Sequence, residues 1–455
     1  MTKSLLERVS ELKEQGVARA KLGLTDVDGV VRGKYVSLDK LESLARQPGG
    51  FCDCVFGWDM DDQLYDNAVF TGWHTAFPDA FYRLDVSTER WLADEGVPYF
   101  IGEFLDRDAR SPHPICPRTR LKSVLDEAAG MGHGVKLGFE YEFFVFDETP
   151  HSLREKDYRN LKPLSPGNFG YSMLRASAQS ELFNGLMDYC QALDVPLEAL
   201  HCETGPGVWE AAIAADEALS SADKAVLFKT FAKVFFQKQS LIATFMAKWS
   251  MDYPGQSGHC HVSVFDRESG RNVFHAPDAA HGMSPLGRQF LAGVQRYMRP
   301  FLALYAPTVN SYTRLVKGAW APTTATWGYD NRTCALRVIG GGEKAQRIEF
   351  RLGAADGNPY LVAMALVAAG LLGIRGKLEP TEPVIGNAYE VELAPEYRLS
   401  GNLRDAAREL QASPEARQLF GDEFVEHFVA SREWECSEYE RHVNDWQLKR
   451  YFEII

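Results

Sequence analysis

Gly138-Phe-Glu140-Tyr-Glu142-Phe-Phe144 sets two acidic residues at alternate positions inside an apolar, strand-like run. Successive side chains of a strand point to opposite faces, so Glu140 and Glu142 share one face while Phe139 and Tyr141 share the other. The same alternation recurs in Gly258-His259-Cys-His261-Val-Ser263 and in Arg347-Ile-Glu349-Phe-Arg351. A carboxylate on a buried strand face must be paired or must hold a metal, because bare burial of a charge is costly. With Glu203 and Glu210 from Cys202-Glu203-Thr-Gly-Pro-Gly-Val-Trp-Glu210, five glutamates and one or two histidines can share a cavity. Hard oxygen ligands of that kind suit a divalent cation and phosphate chemistry.

Outside these runs the chain has the composition of an ordinary globular protein, 45% hydrophobic and 24% charged. Its 455 residues are enough for two or more domains around a large core. A net charge of -13 argues against a nucleic-acid or anionic-membrane partner. The cysteines at 52, 54, 116, 190, 202, 260, 334 and 436 include no CxxC pair, which fits free thiols in a reducing compartment. The first residues lack the apolar core of a signal peptide. The longest apolar run, 361–374, falls short of the ~20 residues of a membrane span. A cytoplasmic protein with a buried apolar helix is expected.

Leu5, Leu6, Val9 and Leu12 have helical spacing, closed by Gly16. Two β-rich runs then flank the turn Asp26-Val-Asp28-Gly29, a hairpin signal. Residues 50–105 are expected as short strands and loops broken at Pro78-Asp79 and Val97-Pro98, with a boundary in the Pro/His/Arg-rich stretch 106–118. This gives a small β-rich domain over 1–110 and a larger one over 111–455. In the larger part a helix near 119–131 precedes the Glu140 strand, and a polar Pro/Gly-rich loop covers 148–170. Helical patterns cover 174–192, 216–247 and 284–304, with the Glu203/Glu210 and His259/His261 strands between them. Strands and helices interleave without regular βα alternation, so the fold class is α+β.

Neither a Walker A loop nor a G-x-G-x-x-G helix opening occurs. Instead the second half carries arginines: Arg314 in Asn310-Ser-Tyr-Thr-Arg314-Leu-Val, Arg332 and Arg337 in Asn331-Arg332-Thr-Cys-Ala-Leu-Arg337, then Arg347 and Arg351. Guanidinium forks hold carboxylate and phosphate oxygens pairwise and stay charged when partly buried. Acidic metal ligands with several arginines match phosphoryl transfer, where catalysis is mostly charge neutralisation and positioning.

Five motifs in order resemble the glutamine synthetase family, class I architecture, over nearly the whole chain. They are G-x-E-x-E, H-x-E-T-G-P-G-x-x-E, G-x-H-x-H-x-S, N-S-Y-x-R-L-V with N-R-T-x-x-x-R, and R-I-E-x-R followed by Asn358-Pro-Tyr. The resemblance implies an N-terminal β-grasp domain and a catalytic domain whose antiparallel strands form a funnel flanked by helices. It also implies a homododecamer of two stacked hexameric rings, with each active site shared between neighbouring subunits. Two Mg²⁺ or Mn²⁺ sites are implied, a third being allowed: Glu142, Glu203 and Glu210 hold one ion, and Glu140, His259 and Glu349 the other. ATP phosphates fall to Arg332, Arg337 and Lys344, with Glu198, His261 and Ser263 near the nucleotide and Tyr171 in the loop on that side. L-glutamate falls to Arg314, Arg351 and the Gly255 backbone, and Arg332 and Arg351 are the implied catalytic residues. The implied reaction forms γ-glutamyl phosphate from glutamate and ATP, then an amide by attack of a nitrogen.

The chain departs from ammonia-using members at three places. Trp320 stands where they carry a glutamate after N-S-Y-x-R-L-V, Pro254 stands for an asparagine, and the β-grasp loop F-D-G-S-S reads Val55-Phe56-Gly57-Trp58-Asp59-Met60. An alkylammonium lying on an indole face gains roughly 0.5–2 kcal/mol while its chain buries apolar surface. The expected activity is therefore an ATP-dependent γ-glutamylamide synthetase, similar to the γ-glutamylpolyamine and γ-glutamyl-monoamine branches of amine catabolism, with Trp320, Trp58 and Asp59 in the amine site. Asp59, Asp61, Asp62 and Asp66 offer partners for the far charge of a diamine, an acidic surface loop being the plain alternative; Asp59 and Asp53 are the candidate bases. An ammonia-using glutamine synthetase and an inactive structural or regulatory member are the other readings. Arg347 is left between a site residue and a structural ion pair. Tyr389, near a tyrosine that some bacterial relatives modify, lies in non-matching surroundings and is expected as an ordinary surface residue.

Overall fold

Asp26 closes the first hairpin in the computed structural model, which describes residues 3–455. Its Oδ1 accepts the N–H groups of Asp28 and Val30 at 3.0 and 2.8 Å, and Gly29 turns the corner at φ +83°. Helix α1 (Leu5–Glu14) precedes the hairpin, opened by a Ser4–Glu7 capping box. Strands β1 (Arg19–Thr25) and β2 (Val31–Ser37) pair antiparallel from Arg19–Ser37 to Thr25–Val31, and α2 (Leu38–Arg46) follows. Adding β3 (Gly49–Cys52), β4 (Asp79–Leu92) and β5 (Val97–Leu105) completes a five-stranded sheet in the order β2-β1-β5-β4-β3, with β1 and β5 parallel.

The stretch 50–105 is less broken than its sequence suggests. β4 runs 14 residues, and all nine residues of β5 are buried, so β5 lacks the polar alternation of a half-exposed strand. Pro98 is tolerated inside β5 because pairing with β1 begins only at Tyr99.

Helix α3 (Pro117–Gly130) leads into β6 (His133–Phe146), the centre of a nine-stranded sheet. The other strands are β7 (Leu197–Cys202), β8 (Val208–Ile213), β9 (Asp216–Glu217), β10 (Ile242–Thr244), β11 (Gly258–Asp266), β12 (Trp327–Tyr329), β13 (Leu336–Ile339) and β14 (Arg347–Phe350). The path β12-β13-β14-β11-β6-β8-β7 is antiparallel except at β12–β13, and β9 and β10 pair with opposite ends of β6. On one side β6 packs Phe139, Tyr141 and Phe143 against α3 and α4 (Ala218–Lys238), while Glu140 and Glu142 on the other side are only partly buried. Helix α5 (Pro285–Tyr297) and α6 (Pro359–Gly376) form the next layer; α6 is apolar all round because it is buried among α3, α4 and α5. By length and composition α6 alone among the described helices could cross a membrane, and 78% of it lies inside the protein.

Two element bounds differ from the sequence pattern. The apolar periodicity over 216–247 runs on past α4, which ends at Lys238; Ser240, at φ +58°, turns the chain into β10. The polar loop over 148–170 contains a short helix, Pro150–Glu155, capped by Thr149.

The hairpin tip is fastened to the larger sheet's helices. Asn358 Nδ2 donates to the carbonyls of Asp26 and Val27 at 3.1 and 3.0 Å, while its Oδ1 caps α6 through Tyr360 N–H. Asp28 pairs with Arg432 on α7 (Asp422–Glu440), both side chains being almost wholly buried. Asp28→Ala would leave that guanidinium with the Pro307 carbonyl at 2.7 Å and Glu435, at 3.4 Å, as its one carboxylate. We expect a loss of about 3 kcal/mol in unfolding free energy, measured by urea denaturation. A loss below about 1 kcal/mol would show that Glu435 suffices.

Candidate active site

Strand register brings the alternate polar residues together. His259 pairs with Glu140 across β11–β6, and His261 with Glu349 across β11–β14. His259 Nδ1 lies 3.2 Å from Glu140 Oε2 and 3.6 Å from Glu349 Oε1, so the three donors face one point within 4.8 Å of one another. His261 Nε2 is 3.7 Å from the same Glu140 oxygen, and its Nδ1 accepts Arg347 Nε at 3.2 Å. Arg347 thus faces the site rather than solvent ions. Glu349, 1% exposed, gives one oxygen to Arg337 Nη1 at 2.8 Å and the other to Arg351 Nη1. Burial works against its charge, but His259, Arg351, His261 and Arg337 outweigh it and hold the carboxyl at about 2.

A second cluster stands beside the first. Donor atoms of His201, Glu203 and Glu210 lie within 4.8 Å of one another, with His201 Nε2 3.3 Å from Glu203 and 3.9 Å from Glu210. Glu142, expected with these glutamates, faces Glu210 across the β6–β8 pair and accepts Ser257 N–H at 2.8 Å. His201 is the residue that sequence reasoning missed. The signal was present in His201-Cys-Glu203, whose alternation puts both polar side chains on one face. The Tyr171 ring stacks on His201 at 4.4 Å and 9°. Burial together with the charges of Glu140, Glu142 and Glu203 pushes the Glu210 carboxyl far up, while His259 and His261 overcome burial at Glu140 and hold it low. So many half-buried carboxylates aimed at one cavity repel each other unless cations lie between them, and oxygen-rich sets with one imidazole each fit Mg²⁺ or Mn²⁺.

Arginines line the next part of the cavity. Arg314 is buried and donates to the carbonyls of Leu352 and Arg351 at 2.9 and 3.1 Å; burial lowers its pKa to about 10. Gly255 touches it so closely that a Cβ would sit 2.6 Å from Arg314 Cγ, which explains glycine there. Arg332 is exposed in the β12–β13 turn, and its charge reaches Tyr171, whose hydroxyl burial and Glu203 raise. Lys344 is exposed in the loop 340–346, Glu198 sits exposed at a bulge of the edge strand β7, and Ser263 is half-buried opposite Lys136. No hydrogen bond or ion pair among the described residues ties these last three to either cluster.

Residues 114–451 match the model of the glutamine synthetase catalytic domain. The chain belongs to the glutamine synthetase family. It is 45% identical over 438 residues to a type-1 glutamine synthetase of Dictyostelium discoideum, covering 96% of this chain and 84% of that one. It is 35% identical over 454 residues to a glutamate–isopropylamine ligase of a Pseudomonas species, covering 100% and 99%. The ligand-free structure of GmaS superposes over the full length of both chains with a TM-score of 0.85 at 27% identity. These relatives place the protein among ATP-dependent ligases, and the mixed fold of curled sheet and helices is that of the glutamine synthetase family. Members of the family use glutamate, ATP, divalent metals and an amine or ammonia.

Among the described residues no hydrogen bond, ion pair or ring contact joins Trp320 to Trp58 or Asp59. Trp320 is 60% exposed at φ +57°. Trp58 lies under Arg32, 5.1 Å from ring centroid to guanidinium carbon, and Arg32 also ties down Asp62 and the Asp59 carbonyl. Asp59 Oδ1 accepts the N–H groups of Asp61 and Gln63 at 2.9 and 2.8 Å, so this oxygen builds a turn. Asp53 is buried and accepts Thr71 Oγ1 at 2.7 Å. Tyr389 departs from expectation as well: its hydroxyl is buried, beside Arg351, Arg314 and the backbone of Trp320.

Proposed function

We propose that the protein joins the γ-carboxyl of L-glutamate to an organic amine, a monoamine or a polyamine, with ATP converted to ADP and phosphate. The observation that carries the choice of an organic amine is Trp320, an exposed indole where ammonia-using relatives place a carboxylate. The resemblance to an isopropylamine ligase along the whole chain supports it. The 45% identity to a glutamine synthetase favours ammonia instead, and the assay below separates the two.

In this reading Glu142, Glu203 and Glu210, joined by His201, hold one divalent cation, and Glu140, His259 and Glu349 hold a second. Cations bound there would cancel the negative charges of the nucleotide phosphates and the substrate carboxylate. Arg314 and Arg351, with the Gly255 backbone, hold glutamate so that its γ-carboxylate meets the terminal phosphorus. Arg332, Arg337 and Lys344 bind phosphate oxygens, with Glu198, His261 and Ser263 toward the nucleotide; Arg332 and Arg351 serve as the catalytic pair. The γ-carboxylate oxygen forms a bond to that phosphorus as the bond to ADP breaks. A base takes one proton from the bound ammonium; the neutral amine then attacks the acyl carbon, the C–O bond to phosphate breaks, and a second nitrogen proton leaves with the phosphate. Trp320 offers its face to the carbon-bearing ammonium, and Trp58 and Asp59 of the partner subunit complete the amine site in a homododecamer. We also place the division between a β-grasp domain and the catalytic domain near residue 110, and the enzyme in the cytoplasm.

Phosphate release with glutamate, Mg²⁺ and ATP, compared across ammonium, methylamine, ethanolamine, isopropylamine, putrescine and spermidine, tests the proposal. At least one organic amine is expected to exceed ammonium in kcat/KM by about tenfold or more. Equal or better turnover with ammonium would mark an ordinary glutamine synthetase.

A further inference from the structure

Tyr389 owes its place to long-range stitching. Asn331 Nδ2 donates to the carbonyls of Val384 and Gly386 at 3.2 and 2.8 Å, and Thr333 Oγ1 accepts Ala388 N–H at 2.9 Å. Asn387 Oδ1 then accepts Tyr389 N–H at 3.1 Å, while Cys334, Val384 and Ala388 form a small apolar core beneath. The turn that carries Arg332 therefore also fixes Tyr389.

The result is a buried phenol hydroxyl that donates to no group of the protein; the Trp320 backbone approaches its oxygen, and the charges of Arg351 and Arg314 act on it. Arg351 Nε is likewise buried with no partner. Leaving such groups unpaired is unfavourable, and native proteins seldom do so without reason. Guanidinium groups have no lone pair to offer, so the phenol hydrogen finds no acceptor among them. The acceptors in this corner, the carbonyls of Leu352 and Arg351 and the Glu349 carboxylate, are already taken by the guanidiniums. The ligand chemistry that satisfies it is an anion with several acceptor oxygens, drawn in by two cations.

We propose that Tyr389 is a third arm of the glutamate pocket, its hydroxyl donating to an oxygen of the substrate carboxylate held by Arg314 and Arg351. The proposal rests on the ligase reading above. It assigns Tyr389 to acyl-substrate binding, apart from the metal ligands, the nucleotide and the amine.

Tyr389→Phe keeps the ring and deletes only the oxygen, so it separates recognition from packing. Glutamate binding in the presence of Mg²⁺ and a non-hydrolysable ATP analogue is measured by calorimetry for wild type and variant, with KM values for glutamate and ATP and melting temperatures alongside. The variant is expected to weaken glutamate roughly 10- to 100-fold in both Kd and KM, with KM for ATP and the melting temperature unchanged. Glutamate affinity within about twofold of wild type would overturn the proposal while leaving the ligase reading standing. An equal loss in KM for ATP, or a lowered melting temperature that accounts for the loss, would also overturn it, since the hydroxyl would then be structural. Wild-type protein that binds no glutamate at all would overturn the ligase reading first.

Discussion

Replacing Glu349 with alanine is expected to cut kcat/KM for glutamate- and amine-dependent phosphate release by about a thousandfold or more. Both Glu349 oxygens are committed, one toward Arg351 and His259 and the other to Arg337. Its removal deletes a carboxylate from the His259–Glu140 cluster, leaves Arg351 without its anion and leaves Arg337 with Asp330 alone. Because Ala also opens a buried space among cations, Glu349→Gln is the companion variant: it keeps the shape and loses the charge. Neutral Gln remains able to accept from Arg337, so the fold is expected to survive while activity falls nearly as far. Gln activity within tenfold of wild type, with a normal melting curve, would show that this carboxylate holds neither cation nor catalytic arginine.

Trp320→Glu is expected to raise the ratio of ammonium to organic-amine turnover by about 10- to 100-fold. Two contributions act in the same direction. The indole face that favours an alkylammonium is lost, at roughly 0.5–2 kcal/mol, and an anion appears where none stood, worth about 0–1 kcal/mol at an exposed position. Trp320 holds a left-handed φ of +57°, which Glu adopts no more readily than Trp, so the backbone strain is carried over. Trp320→Gly serves as control: it removes the indole and relieves that strain without adding charge, so it should lose amine preference and gain no ammonium activity. An unchanged ratio in Trp320→Glu, with the amine panel otherwise active, would place the amine elsewhere.

Much of the site could be read along the chain because strands alternate. Glu140, His259 and Glu349 each alternate with apolar or small neighbours on a strand, so the face each takes followed from position alone. That the three strands are neighbours, in the order β14-β11-β6, does not follow from any local pattern; the family resemblance carried it. His201 was legible but passed over, since a lone histidine two places from a glutamate is weak until Glu210 is known to lie across the pair from it. Tyr389 was not legible. Its burial depends on a hydrogen bond donated by Asn331 and one accepted by Thr333, more than fifty positions earlier, and a surface-like Asn-Ala-Tyr-Glu segment gives no hint of them. The length of β5 was hidden for the opposite reason: a strand covered on both faces shows no alternation to detect.

Titration of metal-stripped protein with Mn²⁺, followed by the electron paramagnetic resonance signal of the free ion, tests the convergence of these acidic and imidazole groups most directly. Two tightly held ions per chain are expected, one of them lost in Glu140→Ala and the other in Glu210→Ala. Wild type that takes up no Mn²⁺, or a Glu140→Ala/Glu210→Ala double variant that binds as many ions as wild type, would contradict it.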